Sequence, residues 1–120
     1  MANQGYLTTH VLDTMAGNPA AGMKIELYEI KGDKRISLAS AITNQDGRCE
    51  KPLLAEAMFK KGTYELLFYV SDYFTSLNFT PQNGQFLDIV PVRFMIADED
   101  AHYHVPLLVS PYGYSTYRGS

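Results

Sequence analysis

Short runs of β-branched, aromatic and aliphatic residues recur along the chain, and each run is about as long as a β-strand. Turn-forming segments separate the runs, among them Gly-Asn-Pro at 17–19 and Gly-Asp at 32–33. The strongest turn signal is at 44–47, because its Asp-Gly pair tolerates a positive φ. This pattern predicts strands over residues 6–12, 23–30, 36–43, 63–70, 87–96, 102–109 and 114–117.

Helical periodicity is sparse. Residues 55–60 and residues 73–77 are the best helical candidates, and Ser71 or Asp72 is suited to cap the second of them. Strands at short spacing with local connections favour an all-β fold, a two-sheet antiparallel β-sandwich with one short helix. We expect one domain over residues 1–120, with residues 1–5 flexible.

Composition narrows the class of protein. Hydrophobic residues make up 46% and charged residues 19%, which excludes a disordered chain or a coiled coil. The net charge of -3 and the scattering of Lys and Arg along the sequence argue against a basic surface that binds nucleic acid. Cys49 is the only cysteine, so no intrachain disulfide forms. With neither a secretory signal nor a membrane span in the sequence, we expect a soluble, cytoplasmic protein without a membrane partner.

The three histidines, His10, His102 and His104, all fall within predicted strands. The two-residue period of a strand puts His102 and His104 on one face and Tyr103 on the other. A neutral imidazole in such a place takes a proton from water near pH 7. The plainer interpretation is that each histidine is a hydrogen-bonded structural or surface group.

A metal site is the rival chemical interpretation. Two histidines at i and i+2 on a strand, with a third elsewhere, match the ligands of a three-histidine zinc site, and zinc also makes a nucleophilic hydroxide. The acidic residues at 98–100 precede the pair in a predicted loop and are not obviously arranged as supporting carboxylates. The spacing alone leaves both interpretations open.

Arg48 follows the Asp-Gly turn and therefore begins a strand at the mouth of a loop. Its planar guanidinium suits a flat ligand that carries carbonyl oxygens, although an exposed arginine beside a turn is equally ordinary. Arg118 lies in a polar tail whose directional groups suit tethering or ligand binding. Cys49 lacks the context of a nucleophilic cysteine and is interpreted as a packing residue.

Two common chemistries find no support in the sequence. The serines lie in no Gly-x-Ser-x-Gly elbow, so a serine nucleophile is not indicated. The nine glycines form no phosphate-binding loop, so no nucleotide cofactor is indicated.

Seven short segments, taken in order, carry a specific family resemblance. They are LTTHVLD (7–13), GNPA (17–20), DGR (46–48), DYF (72–74), PVRF (91–94), HYHVPLL (102–108) and YRGS (117–120). On these segments the chain resembles the transthyretin-related 5-hydroxyisourate hydrolases over essentially its whole length. The resemblance implies a transthyretin-like sandwich of two four-stranded sheets, and a homotetramer with active sites in the channel where dimers meet.

The resemblance also implies the reaction: hydrolysis that opens the six-membered ring of the small molecule 5-hydroxyisourate in urate degradation. It makes His10, Arg48 and His104 the catalytic residues, with His102 as a supporting residue. The substrate-binding residues that it implies are His10, Arg48, Tyr117, Arg118, Gly119 and Ser120. We expect Arg48 to polarise a carbonyl while histidines activate water against the cyclic amide, with no metal and no cofactor.

Thyroid-hormone carriers share the fold and the segment SPYGYST at 110–116, but they lack the histidines and the YRGS ending of the hydrolases. That difference favours the hydrolase. The alternative is a non-enzymatic transthyretin-like carrier of small planar ligands, and a third reading is a β-sandwich that serves only as an interaction module.

Overall fold

A computed structural model describes residues 4–119 of the 120-residue chain. Within those residues the chain forms eleven strands, one α-helix and one 3₁₀ turn. The strands are β1 (Tyr6–Thr8), β2 (Val11–Asp13), β3 (Asn18–Pro19), β4 (Lys24–Lys31), β5 (Lys34–Ile42), β6 (Leu54–Ala55), β7 (Gly62–Tyr69), β8 (Ile89–Ile96), β9 (His102–His104), β10 (Leu107–Ser110) and β11 (Gly113–Thr116). The 3₁₀ turn is Glu56–Met58, and the helix, α1, is Val70–Ser76.

One layer of the fold is a fully antiparallel sheet in the order β5-β4-β7-β8. Its long strands follow the alternation that the sequence predicts, so that Ile25 and Leu27 of β4 are buried while their neighbours are less so. The central strand β7 is buried along most of its length, as expected for a strand with a neighbour on each side.

The opposite side of the fold consists of two sheets. The same extended segments of the chain supply strands to both, since β1 continues into β2 and β9 into β10. The strand orders of the two sheets are β6-β1-β9 and β11-β10-β2-β3. β1 runs parallel to β9, and β2 runs parallel to β10. The predicted antiparallel sandwich therefore contains two parallel pairs, which join strands from the two ends of the chain.

The predicted strands 6–12 and 102–109 are each broken in two. Pro106 supplies no amide N–H, so it interrupts the second strand between β9 and β10. In the first strand, the Thr9 hydroxyl donates to the carbonyl of Val105, and the carbonyl of His10 accepts the amide of Leu107. These bonds hold the two breaks side by side.

The predicted positions of the helical segments were wrong in detail. Residues 55–60 contain only the 3₁₀ turn, and α1 begins at Val70 with Tyr69 as an N-cap that makes no side-chain cap bond. Ser71 and Asp72 therefore lie inside the helix instead of capping it. The Ser71 hydroxyl donates to Asp88, whose backbone carbonyl also accepts the amides that open the helix.

A continuous hydrophobic core joins the two sides of the sandwich. Leu7, Val11 and Leu107 from the parallel pairs pack in one cluster with residues such as Leu27 and Leu66 of the antiparallel sheet. The all-β sandwich with one short helix is thus confirmed. Within residues 4–119, the helix is too short to cross a lipid bilayer.

The expected flexibility of residues 1–5 falls, for residues 1–3, outside the part of the chain that the structure describes. Gly5, by contrast, is buried, and its amide donates to the carbonyl of Glu99. A Cβ at Gly5 would come within 2.3 Å of the Phe59 ring, so the chain enters β1 through a space that only glycine fits.

Candidate active site

A surface cleft of about 330 Å³ opens beside the parallel pair β1 and β9. It combines aromatic, hydroxyl, imidazole and cationic groups. The lining residues are Tyr6, Thr8, Thr9, Arg48, Cys49, Lys51, His102 and His104. Both β9 histidines therefore face one cleft, while Tyr103 between them is buried on the other face of the strand, as the two-residue period predicts.

The parallel register of β1 and β9 puts Tyr6 opposite His102 and Thr8 opposite His104. The Tyr6 and His102 rings stack with centroids 4.1 Å apart and an interplanar angle of 10°. Thr8 Oγ1 lies 2.6 Å from Nε2 of His102 and 2.8 Å from Nδ1 of His104. A single hydroxyl thus bridges the two imidazoles.

Arg48 is brought to the cleft by the tight turn at 44–48. The Asn44 side-chain oxygen accepts the amides of Asp46 and Arg48, and Gly47 has a φ of 73°, which a glycine adopts readily. The turn also docks on β2, because the carbonyl of Gly47 accepts the amide of Val11. In that position Arg48 pairs with His10 in an isolated antiparallel bridge.

The electrostatics of this arrangement keep two imidazoles neutral. Burial lowers the pKa of His10 below its usual value, and the positive charge of Arg48 lowers it further, while Asp46 acts in the opposite direction. Burial likewise lowers the pKa of His104, followed by the charge of Arg48 and then by His102 and His10. Both histidines are therefore neutral near pH 7 and able to accept a proton.

The tail of the chain lies against His104. The amide of Gly119 donates to the carbonyl of His104 at 2.7 Å, and the two residues form an isolated antiparallel bridge. Tyr117 and Arg118 line a second cavity of about 240 Å³ on another face. The Arg118 guanidinium lies 4.1 Å above the ring of Tyr103, which is the residue of β9 that points away from the histidine cleft. Ser120 lies outside the described residues.

The predicted residues thus divide into two groups. His102, His104 and Arg48 share the cleft, and His10 is close enough to them to be affected by Arg48 and to affect His104. Of the predicted tail residues, Gly119 contacts His104, whereas Tyr117 and Arg118 line the second cavity. Cys49 packs against the core as expected, but it also lines the cleft, and burial raises the pKa of its thiol.

Four lining residues were not singled out in the sequence: Tyr6, Thr8, Thr9 and Lys51. The two-residue period was enough to place Tyr6 and Thr8 on one face of a strand. What the sequence lacked was the register between β1 and β9, which joins residues 96 positions apart.

The zinc interpretation gains nothing from this geometry. Among residues 4–119, no three His, Cys, Asp or Glu side chains are grouped as metal ligands would be. Nε2 of His102 and Nδ1 of His104 are instead both directed to the hydroxyl of Thr8.

Comparisons with known proteins agree with the resemblance. A sequence model of the HIUase/Transthyretin family matches residues 7–119. The 5-hydroxyisourate hydrolase 2 of Rhizobium meliloti (strain 1021) is 57% identical over 120 residues, which is 100% of both chains.

Two solved structures share the fold. An (S)-allantoin synthase has a TM-score of 0.90 and 47% identity over 98% of this chain, which spans only 44% of that longer protein. Sea bream transthyretin in complex with thyroxine has a TM-score of 0.84 and 28% identity, over 94% of this chain and 93% of that one. By sequence and by fold, the chain belongs to the HIUase/Transthyretin family.

Proposed function

We propose that the chain is a hydrolase that opens the six-membered ring of 5-hydroxyisourate. The observation that carries the proposal is the joint position of two imidazoles and one guanidinium, since Arg48 pairs with His10 and lines the same cleft as His104. Similarity over the full length to the Rhizobium meliloti 5-hydroxyisourate hydrolase 2 supports the choice of substrate.

The chemistry follows from what each group offers. The substrate is flat and rich in carbonyl oxygens, and a guanidinium fork binds and polarises such oxygens as negative charge develops on them. A neutral imidazole removes a proton from water, whose oxygen then bonds to the carbonyl carbon of the cyclic amide. When the carbon–nitrogen bond breaks, the leaving nitrogen takes up a proton from an imidazolium. The mechanism uses no metal ion and no covalent intermediate.

The decisive experiment measures the loss of freshly generated 5-hydroxyisourate with and without the protein. The substrate decays unaided, so the rate must exceed that background and must increase in proportion to protein concentration. A rate equal to the background would refute the hydrolase. Metal analysis of the purified active protein tests the metal-free mechanism, which a requirement for stoichiometric zinc would overturn.

A carrier of small planar ligands is the second candidate, because the fold is similar to that of the transthyretin solved with thyroxine. The histidine pair on β9 argues against it, since an apolar carrier site has no need of two imidazoles bridged by a hydroxyl. Titration with iodinated phenols beside the hydrolysis assay separates the two. Tight binding without turnover would favour the carrier.

The proposal includes a homotetramer with active sites where dimers meet, in which Tyr117, Arg118, Gly119 and Ser120 help to bind the substrate. Within the described residues, β8 and β11 each lie at one edge of their sheets, and they expose Met95 and Tyr114. Unpaired strand edges of this kind are suited to pairing with another copy. Sedimentation velocity tests the assembly, and a monomer at working concentration would contradict it.

We further propose a cytoplasmic protein that folds as one domain over residues 1–120. A single continuous core, to which both sides of the sandwich contribute, supports the one domain. The presence of only one cysteine supports a reducing compartment.

A further inference from the structure

Thr8 occupies a position that the catalytic scheme above does not use. Its hydroxyl lies within hydrogen-bond distance of one nitrogen from each histidine of β9, 2.6 Å from Nε2 of His102 and 2.8 Å from Nδ1 of His104. The register of the parallel strands fixes this contact, because Thr8 is paired directly with His104.

A hydroxyl has one proton, so it donates to one of these nitrogens and accepts an N–H from the other. The protonation states of the two rings are therefore linked. If Thr8 donates to Nε2 of His102, then Nδ1 of His104 carries the hydrogen and its Nε2 is free to act as a base. If Thr8 donates to Nδ1 of His104, then Nε2 of His104 carries the hydrogen and cannot accept a proton from water.

We propose that Thr8 is a positioning residue that couples His102 to His104 and carries a proton between them, an inference that rests on the hydrolase function proposed above. In the first state, Nε2 of His104 takes a proton from the attacking water and the ring becomes an imidazolium. The proton on Nδ1 then moves to the Thr8 oxygen as the Thr8 proton moves to Nε2 of His102. Thr8 ends unchanged, His104 is neutral with its hydrogen on Nε2, and His102 is the imidazolium.

The surroundings of the two rings favour that direction of transfer. His104 is partly buried and feels the positive charge of Arg48 first and then His102 and His10, all of which disfavour its charged form. His102 is stacked on the face of Tyr6, and an aromatic face attracts a cation. Two other cations lie near β9. Lys51 lines the same cleft as the histidines, and Arg118 lies over Tyr103 on the other face of the strand. The relay therefore holds the proton on His102 while the carbonyl is attacked. When the carbon–nitrogen bond breaks, Nε2 of His104 gives its proton to the leaving nitrogen, Thr8 passes its proton to Nδ1 of His104, and Nε2 of His102 returns a proton to Thr8, which restores the first state.

The matched variants are Thr8→Val, which keeps the shape and removes the hydroxyl, and Thr8→Ser, which keeps the hydroxyl. We expect Thr8→Val to lower kcat by about 10- to 100-fold, the range found when the hydrogen-bond partner of a metal-binding histidine is removed. KM should change little, because Thr8 acts through the histidines. Thr8→Ser should restore most of kcat. Equal kcat in the wild type and Thr8→Val would overturn the proposal, as would failure of serine to rescue.

A double-mutant cycle separates a relay from a merely structural contact. His102→Phe keeps a ring to stack on Tyr6 but removes both nitrogens. If Thr8 and His102 act in one relay, the double variant loses no more kcat than the more impaired single variant. Fully additive losses would show that the two residues act independently and would overturn the proposal. If Thr8→Val folds poorly, His102→Phe alone still tests the relay, because a kcat equal to that of the wild type would overturn it.

Nitrogen-15 NMR shows which nitrogen of each imidazole carries the hydrogen, so it tests the coupling between Thr8 and the histidines without any turnover. We expect His104 in the wild type and in Thr8→Ser to carry its hydrogen on Nδ1, and this preference to be lost in Thr8→Val. A wild-type protein that fails to hydrolyse 5-hydroxyisourate would refute the proposed function, and the NMR result would then decide the coupling alone. The same His104 tautomer in the wild type and in Thr8→Val would refute the coupling even if the protein is an active hydrolase.

Discussion

Gly119 packs closely against His104. Its amide donates to the carbonyl of His104 at 2.7 Å, and a Cβ built on Gly119 would come within 2.6 Å of Cδ2 of the ring. The glycine is needed for this close approach, because a side chain at that point displaces either the tail or the ring. The position of the proposed base thus depends on the second-last residue of the chain.

The first prediction is that Gly119→Ala lowers kcat/KM for 5-hydroxyisourate by about 10²-fold, because a shift of the order of 1 Å in a catalytic group has that effect. The melting temperature should stay near that of the wild type, since the tail lies at the surface. Gly113→Ala is the matched control: the nearest atom to its Cβ is Ser110 Oγ at 4.0 Å, so the methyl group fits without a clash. Full activity of Gly119→Ala would show that the tail does not position His104.

The second prediction concerns His104 itself. His104→Asn keeps a polar side chain near Thr8 but removes the titrating ring, so turnover should fall by roughly 10² or more, the usual effect of losing general acid–base assistance. Circular dichroism and the sedimentation coefficient should match those of the wild type. A variant that retains the full rate would show that another group accepts the proton.

The third prediction separates the charge of Arg48 from its shape. Arg48→Met removes the cation that lowers the pKa of both His10 and His104, so both pKa values should rise and kcat/KM should fall. Arg48→Lys keeps the charge and loses the planar fork, so the pKa values should stay low while kcat/KM still falls. Histidine Cε1 proton shifts measured against pH report the pKa values.

Lys51→Met is the control for the Arg48 variants, because Lys51 lines the same cleft but is not among the causes of either histidine shift. We expect it to leave both pKa values close to those of the wild type. If Lys51→Met raises the two histidine pKa values as much as Arg48→Met does, then any cation in the cleft lowers these pKa values and the effect is not specific to Arg48.

The fourth prediction is the pH dependence. The base must be neutral, and the pKa values of His10 and His104 are lowered from 6.5, so the acid limb of kcat/KM should lie below pH 6.5. The free energy of unfolding should fall over the same pH range. As the pH falls below 6.5, the unfolded chain binds protons that the folded chain does not, so the free energy of unfolding decreases until the folded-state pKa values are passed. Melting temperatures between pH 8 and pH 5 test this, and His104→Asn should lose less over that range. An acid limb above pH 6.5 would contradict the assignment.

Local patterns in the sequence were sufficient for the long strands. Alternation over residues 23–30 and 63–70 predicted β4 and β7 to within one residue at each end, because each strand buries alternate or continuous apolar residues against one core. The two-residue strands β3 and β6 were missed, since two residues carry no period. The breaks in the strands at 6–12 and 102–109 depend on contacts between the two segments.

The candidate site was predicted in the same uneven way. One strand puts His102 and His104 on a common face, and the family resemblance turned His10 and Arg48 from candidates into expected catalytic residues. Thr8 and Tyr6 reach the histidines only through the parallel register of β1 with β9, and no local signal reports a pairing across the length of the chain. The same holds for Arg118, whose stacking on Tyr103 depends on the path of the tail.

The final prediction tests the core beneath α1. Asp13 is fully buried; its Oδ1 accepts the amides of Met15 and Ala16, and its Oδ2 accepts the Tyr73 hydroxyl at 2.8 Å. Burial and this bond to Asp13 raise the pKa of Tyr73, so the phenol remains a donor at every working pH. Tyr73→Phe leaves a buried carboxylate oxygen without its partner and should reduce the free energy of unfolding by about 1–3 kcal/mol, with hydrolysis at low temperature unchanged. Tyr69→Phe, which removes a solvent-accessible hydroxyl bonded to Glu26, should have a smaller effect in the same urea titration. Equal losses in the two variants would show that burial of the Asp13 carboxylate is not what makes the Tyr73 bond matter.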